Sequence, residues 1–131
     1  MTGVFLDTAT LQRGDLDFTR LSRVLPAWEF HDATSTPQVA QRIAQAEVVV
    51  SNKAYVGAGA LAAASKLKLI CVSATGTNNV DLDAARARGI AVCNVTGYAA
   101  PSVVQQVFTF ILALVTQLEN YRAAVQDGAW Q

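Results

Sequence analysis

Two runs, Glu47–Ser51 (EVVVS) and Leu67–Ser73 (LKLICVS), constrain this chain more than any other feature. Each is almost continuously apolar and rich in β-branched residues, so neither alternates as a strand with one wet face must. A strand buried on both faces belongs to a parallel sheet covered by helices, and parallel neighbours need crossover connections. The rest of the sequence has that form. Val4–Asp7 reads as a first strand, followed by helical spacing over Asp15–Leu25 (Phe18, Leu21, Leu25) that Pro26 stops. Ala27–His31 is a second, weaker strand. Thr36–Ala46 is a helix with Pro37 in its first turn and Val39, Ile43 and Ala46 on one face. After the third strand, Glu47–Ser51, an alanine-rich helix spans Gly57–Lys66, and Leu67–Ser73 is the fourth strand. Asp81–Arg88 is a short helix with Gly89 as its left-handed stop, and Ile90–Val95 is the fifth strand. This pattern predicts an α/β fold, a flavodoxin-like open parallel sheet with helices on both faces. Working groups then belong in the loops at the carboxyl ends of the strands: Ser51–Val56, Ser73–Asp81 and Val95–Ser102.

Composition narrows the function. Among 131 residues, ten basic and ten acidic side chains cancel, so there is no basic surplus to hold nucleic acid or an anionic membrane surface. With 52% hydrophobic residues the chain can build a core, which excludes disorder. The run Val103–Leu118 raises the question of a membrane, but Gln105, Gln106 and Gln117 interrupt it. Its unbroken part is about half the ~20 residues a span needs, so it reads as a buried helix. Cys71 and Cys93 sit in apolar runs and Met1 leads straight into a strand, which predicts buried free thiols in the cytoplasm. No Cys/His spacing suits zinc, and no metal is expected.

Three motifs invite stronger readings. Gly57-Ala58-Gly59-Ala60-Leu61-Ala62 matches the dinucleotide pattern G-x-G-x-x-G/A, but Asn52–Val56 separate it from its strand, and Thr77 and Asn78 stand where an acidic ribose partner belongs. It reads as a helix start. His31, the only histidine, has Asp32 as a sequence neighbour and no nucleophile motif beside it, which argues against a catalytic pair. Asp7 ends the first strand, where a receiver domain keeps its phospho-accepting carboxylate, but no lysine follows the fifth strand.

The loop from Ser73 to Asp81 (SATGTNNVD) is the most informative. Small hydroxyl and glycine residues directly after a buried strand leave backbone N–H groups free to meet an anion. The same residues also make a plain turn in which Asp81 caps the next helix. Ser51-Asn52-Lys53 is a second anion candidate, with the Lys53 charge beside backbone donors.

The stretch from Leu67 to Val115 closely resembles the D-isomer-specific 2-hydroxyacid dehydrogenases, within them the glycerate dehydrogenase (hydroxypyruvate reductase) branch. The resemblance rests on T-G-x-N-N-V-D at Thr75–Asp81, A-x-x-x-G-I-x-V-x-N at Ala85–Asn94 and G-Y-x-x-P-S-V-V-Q at Gly97–Gln105. It implies that residues 1–100 are a substrate domain and that 101–131 form an apolar helix crossing toward a nucleotide-binding domain. It further implies that Thr75 and Gly76, helped by Asn52 and Lys53, receive the carboxylate of a small 2-hydroxy or 2-keto acid. Thr75, Val103, Val104 and Gln105 would lie toward an NAD or NADP cofactor. The matching segment reaches Asp127–Gln131, just before the family's glycine-rich nucleotide fingerprint. The family's catalytic arginine, glutamate and histidine therefore have no counterpart among these residues, and His31 does not inherit a role. Hydride transfer needs a held nicotinamide and a proton donor. The chain alone is thus expected to bind no cofactor tightly, to be inactive, and to pair with a nucleotide domain or with itself through the apolar helix. The alternative is a standalone non-enzymatic module for small-acid binding or dimerisation.

Overall fold

A computed structural model describes residues 1–11 and 16–129. They form two compact units, 1–96 and 97–131. The first holds a fully parallel five-stranded sheet: β1 (Thr2–Phe5), β2 (Ala27–Phe30), β3 (Val48–Ser51), β4 (Leu69–Val72) and β5 (Ala91–Asn94). Their order is β2-β1-β3-β4-β5, that of flavodoxin-like sheets. Its helices are α1 (Thr19–Ser22), α2 (Thr36–Ile43), α3 (Ala58–Ala63) and α4 (Leu82–Ala87). The expected helix over Asp15–Leu25 shrinks to the single turn of α1, and Asp15 lies outside the described residues.

Local signals account for the helix ends. Ser35 and Gln38 form a capping box at the start of α2, with Pro37 in the first turn. The Asp81 carboxylate accepts from the Ala84 N–H at 2.9 Å, so the plain capping role of Asp81 is realised. Gly89 follows α4 with φ 67°, the left-handed stop the sequence predicts.

The two faces of the sheet differ. On one, Val4, Leu6, Val49, Ile70 and Val72 pack with Val39 and Ile43 of α2, Leu61 of α3 and Ala85 of α4 in a single core. On the other, Phe5, Phe18, Phe30 and Trp28 form an aromatic cluster with ring centroids 5.7–5.8 Å apart at its closest contacts. A Cβ built on Gly3 would come within 2.6 Å of the Trp28 ring, so this strand position admits the indole only because it carries no side chain. Beside the cluster an apolar groove of about 440 Å³ remains, lined by Leu21, Leu25, Trp28, Val48, Leu69 and Cys71 among others. Helices therefore cover both faces unequally, because α1 is one turn long while three helices share the other side. The same asymmetry corrects the expectation of two buried thiols: both cysteines are free, but Cys71 is half-buried and Cys93, on the edge strand β5, is exposed.

The second unit is α5 (Ala100–Val115) and α6 (Leu118–Gln126), bent by 60° around Gln117, which takes φ 52°. The expectation of a buried helix fails here, since α5 has no buried residue. Its apolar side chains, among them Val104, Phe108, Phe110, Leu112 and Leu114, are spread all round the helix, and one short second helix has too little surface to enclose them. Among the described residues no single helix is long and apolar enough to cross a membrane; α5 and α6 reach that length only together, across the bend.

Candidate functional site

The strand order places the carboxyl ends of β1, β3 and β4 side by side, so the residues that follow them share one edge of the sheet. Asp7 leaves β1 buried at 2% exposure. Its carboxylate accepts backbone N–H groups from three consecutive residues after β3: Asn52 at 2.9 Å, Lys53, and Ala54 at 2.7 Å. A chain turning sharply out of a buried strand strands its amides, and one carboxylate collects all three. Around it, the Asn52 Nδ2 donates to the Thr10 hydroxyl at 2.9 Å and that hydroxyl donates to the Asp7 carbonyl at 2.7 Å.

Asn79 ties this loop to the next. Its Nδ2 lies 3.3–3.4 Å from Ser51 Oγ and the carbonyls of Asn52 and Ala54, while its own carbonyl accepts from the Val56 N–H at 2.8 Å. The Ser73 N–H donates to the Ser51 carbonyl, and the Val80 N–H to the Thr77 carbonyl. The loop after β4 is thus fixed at both ends. Between them, the Ala74 carbonyl accepts from the Val95 N–H at 3.1 Å and the Thr75 carbonyl from Asn94 Nδ2 at 2.6 Å. Thr75 and Gly76 are exposed, and among the described residues their N–H groups have no acceptor. Carbonyls occupied and adjacent amides open is the arrangement that meets an anion.

The structure separates the sequence candidates accordingly. Thr75 and Gly76 offer donors. The expectation of free backbone donors at Asn52 and Lys53 is not met, because Asp7 already holds them; what that loop leaves for a ligand is the exposed Lys53 side chain. Val103, Val104 and Gln105 lie on the first turns of α5, all exposed. Sequence reasoning misses Asn79 and weighs Asp7 only as a phospho-acceptor, not as the acceptor of the loop after β3, though the strand order itself, by setting β1 beside β3, pairs the end of one with the loop of the other.

The rejected motifs have other occupations. His31 closes β2 against β1, its N–H donating to the Phe5 carbonyl and its carbonyl accepting from Thr8, and Asp32 accepts the Thr8 hydroxyl. Burial first, then nearby Arg42, holds the imidazole below its ordinary pKa against the opposing pull of Glu29, whose carboxylate lies 3.8 Å away. The hollow beside Gly57–Ala60 is lined by Tyr55 and Asp81, and an acidic residue there disfavours a pyrophosphate. Among the described residues no group of three or more His, Cys, Asp or Glu could hold a metal ion.

Comparison with known proteins identifies the family. The family model of the D-isomer specific 2-hydroxyacid dehydrogenase catalytic domain matches residues 8–125. The chain is 36% identical over 129 residues to the glycerate dehydrogenase of Methylorubrum extorquens, covering 97% of this chain and 40% of that protein. It is 28% identical to the hydroxypyruvate reductase of Blautia hydrogenotrophica, covering 98% and 40%. Among solved structures, D-lactate dehydrogenase from Aquifex aeolicus, complexed with NAD and lactic acid, superposes with a TM-score of 0.76 at 20% identity over all of this chain and 38% of that one. The NAD-dependent formate dehydrogenase of Staphylococcus aureus gives 0.78 at 23%, over 100% and 42%. The chain therefore spans about 40% of the length of these two relatives. It belongs to the D-isomer-specific 2-hydroxyacid dehydrogenase family, whose catalytic-domain model matches residues 8–125 of this chain.

Proposed function

We propose that this chain is the substrate-carboxylate half of an NAD(P)-dependent D-2-hydroxyacid dehydrogenase acting on a small acid such as glycerate or hydroxypyruvate. The observation that carries the reading is the pair of open N–H groups at Thr75 and Gly76 on a loop pinned at both ends. In this account those amides hold the carboxylate, Lys53 adds a positive charge at the rim, and Asn52 keeps the neighbouring loop in place through Thr10. Asp7 and Asn79 act as positioning residues. Thr75 would also border the nicotinamide, and Val103, Val104 and Gln105 of α5 would lie on the cofactor side. The nicotinamide supplies the hydride when bound; in this account both it and the proton donor come from the rest of a family protein.

Affinity in isolation is low in this reading. Hydrogen bonds to a charged acceptor are worth about 1.5–3 kcal/mol each, and association costs at least ~4 kcal/mol, so two amides leave at most ~2 kcal/mol, a dissociation constant of about 30 mM or weaker. The wet apolar surface of α5 supports pairing with a nucleotide-binding domain or a second copy, since each large apolar side chain left in water forgoes about 1.5–3 kcal/mol. The two free thiols support a cytoplasmic location.

A chimera tests the reading. The chain is fused after Ala129 to the nucleotide-binding half of the Methylorubrum extorquens relative, and NADH consumption with hydroxypyruvate is followed by absorbance. We expect turnover by the chimera and none by the chain alone. A folded chimera that binds NADH and leaves hydroxypyruvate untouched would favour the non-enzymatic module.

A further inference from the structure

The geometry points to Cys71 and Cys93 as a redox-modification site, a dithiol that a hydroperoxide converts to an intramolecular disulfide. The two residues are register partners on the neighbouring strands β4 and β5, with sulfurs 3.5 Å apart and both thiols free. Adjacent strands lie about 4.8 Å apart, inside the ~4.4–6.8 Å between Cα atoms that a disulfide spans. The sulfurs need to close by about 1.5 Å to reach bonding distance, a movement within the reach of side-chain torsions.

Exposure divides the labour. Cys93 is open to solvent on the edge strand, whereas Cys71 is half-buried at the rim of the apolar groove. Burial, together with the neighbouring Cys93, pushes the Cys71 thiol up to about 12, which leaves it protonated and slow toward peroxide. Cys93 is thus the attacking sulfur. Its thiolate forms an S–O bond with one peroxide oxygen as the O–O bond breaks, and the alkoxide takes up the thiol proton and leaves as an alcohol. Cys71 sulfur then displaces hydroxide from the sulfenic acid, its own proton leaving with that hydroxide as water. Two thiols are oxidised by two electrons, and one hydroperoxide is reduced to an alcohol and water.

The consequence reaches the anion loop, because β4 runs directly into Ser73 while β5 runs into Asn94, which holds the Thr75 carbonyl. A bond between Cys71 and Cys93 ties the two strands together just before that contact.

The test uses the full chain, reduced and then exposed to one to a few equivalents of hydrogen peroxide, with intact mass spectrometry, maleimide counting and peptide mapping. We expect a monomer lighter by two hydrogens, no alkylatable thiol, a peptide linking Cys71 to Cys93, and full reversal by dithiothreitol. In Cys71→Ser, dimedone should trap a sulfenic acid at Cys93; in Cys93→Ser, peroxide consumption should fall at least tenfold. Sulfinic acid at Cys93 with Cys71 still alkylatable, or only intermolecular disulfides, in the wild-type chain would overturn the proposal.

Discussion

Replacing Asp7 by alanine should lower the unfolding free energy by about 3–5 kcal/mol, read from urea denaturation. The carboxylate is buried and is the acceptor for the Asn52, Lys53 and Ala54 amides. Its removal strands three donors, of which those of Asn52 and Ala54 belong to buried residues. Each unsatisfied buried donor costs about 1–3 kcal/mol, and part of that is recovered where the loop can relax into water. Asparagine at the same position should do nearly as badly, by about 2–4 kcal/mol, because its NH₂ group faces amide donors where an acceptor is required. For a domain whose total stability falls in the range of roughly 5–15 kcal/mol, either change is severe. A loss under about 1 kcal/mol for both variants would mean that the loop after β3 is held by something other than Asp7.

The second large effect separates the two faces of the sheet. Ile70 and Leu69 are neighbours on β4, yet Ile70 is fully buried in the core with α2, α3 and α4, while Leu69 lines the groove on the other side and is half-covered. Ile70→Ala should cost about 2–5 kcal/mol, the lost transfer energy plus a cavity that packed helices cannot close. Leu69→Ala should cost about half as much, since its side chain is only partly removed from water and the groove already exists. Equal costs in denaturant titrations of the two variants would show that the groove is filled in solution, by a second copy or by rearrangement of the 16–25 segment.

Much of this was legible from residue types alone. The uninterrupted apolar runs around Val49 and Ile70 dictate buried parallel strands, Pro37 marks the start of α2, and Gly89 marks the end of α4. Strand and helix limits move in the structure because pairing and capping, rather than hydrophobicity, terminate them. The first strand is read as Val4–Asp7 but lies at Thr2–Phe5: Leu6 still donates to Val50, and Asp7 turns away to serve the next loop. Thr75 and Gly76 are visible as small residues after a buried strand. The roles of Asp7 and Asn79 are not, since the partners of Asp7 lie 45–47 residues further along and those of the Asn79 side chain lie 25–28 residues earlier. Only the strand order brings them together. Composition likewise misjudges α5 and Cys93: an apolar run predicts that burial is favourable, and whether a covering surface is present depends on elements elsewhere in the chain.

The central claim is that the Thr75 and Gly76 amides receive a small carboxylate, and amide-resolved NMR titration of the ¹⁵N-labelled chain with D-glycerate measures it directly. We expect shifts concentrated at Thr75 and Gly76 that grow with glycerate concentration, with an affinity of about 30 mM or weaker. Chloride at equal ionic strength should leave both amides in place. Shifts confined to other loops, or none at either amide at the highest glycerate concentration, would contradict it.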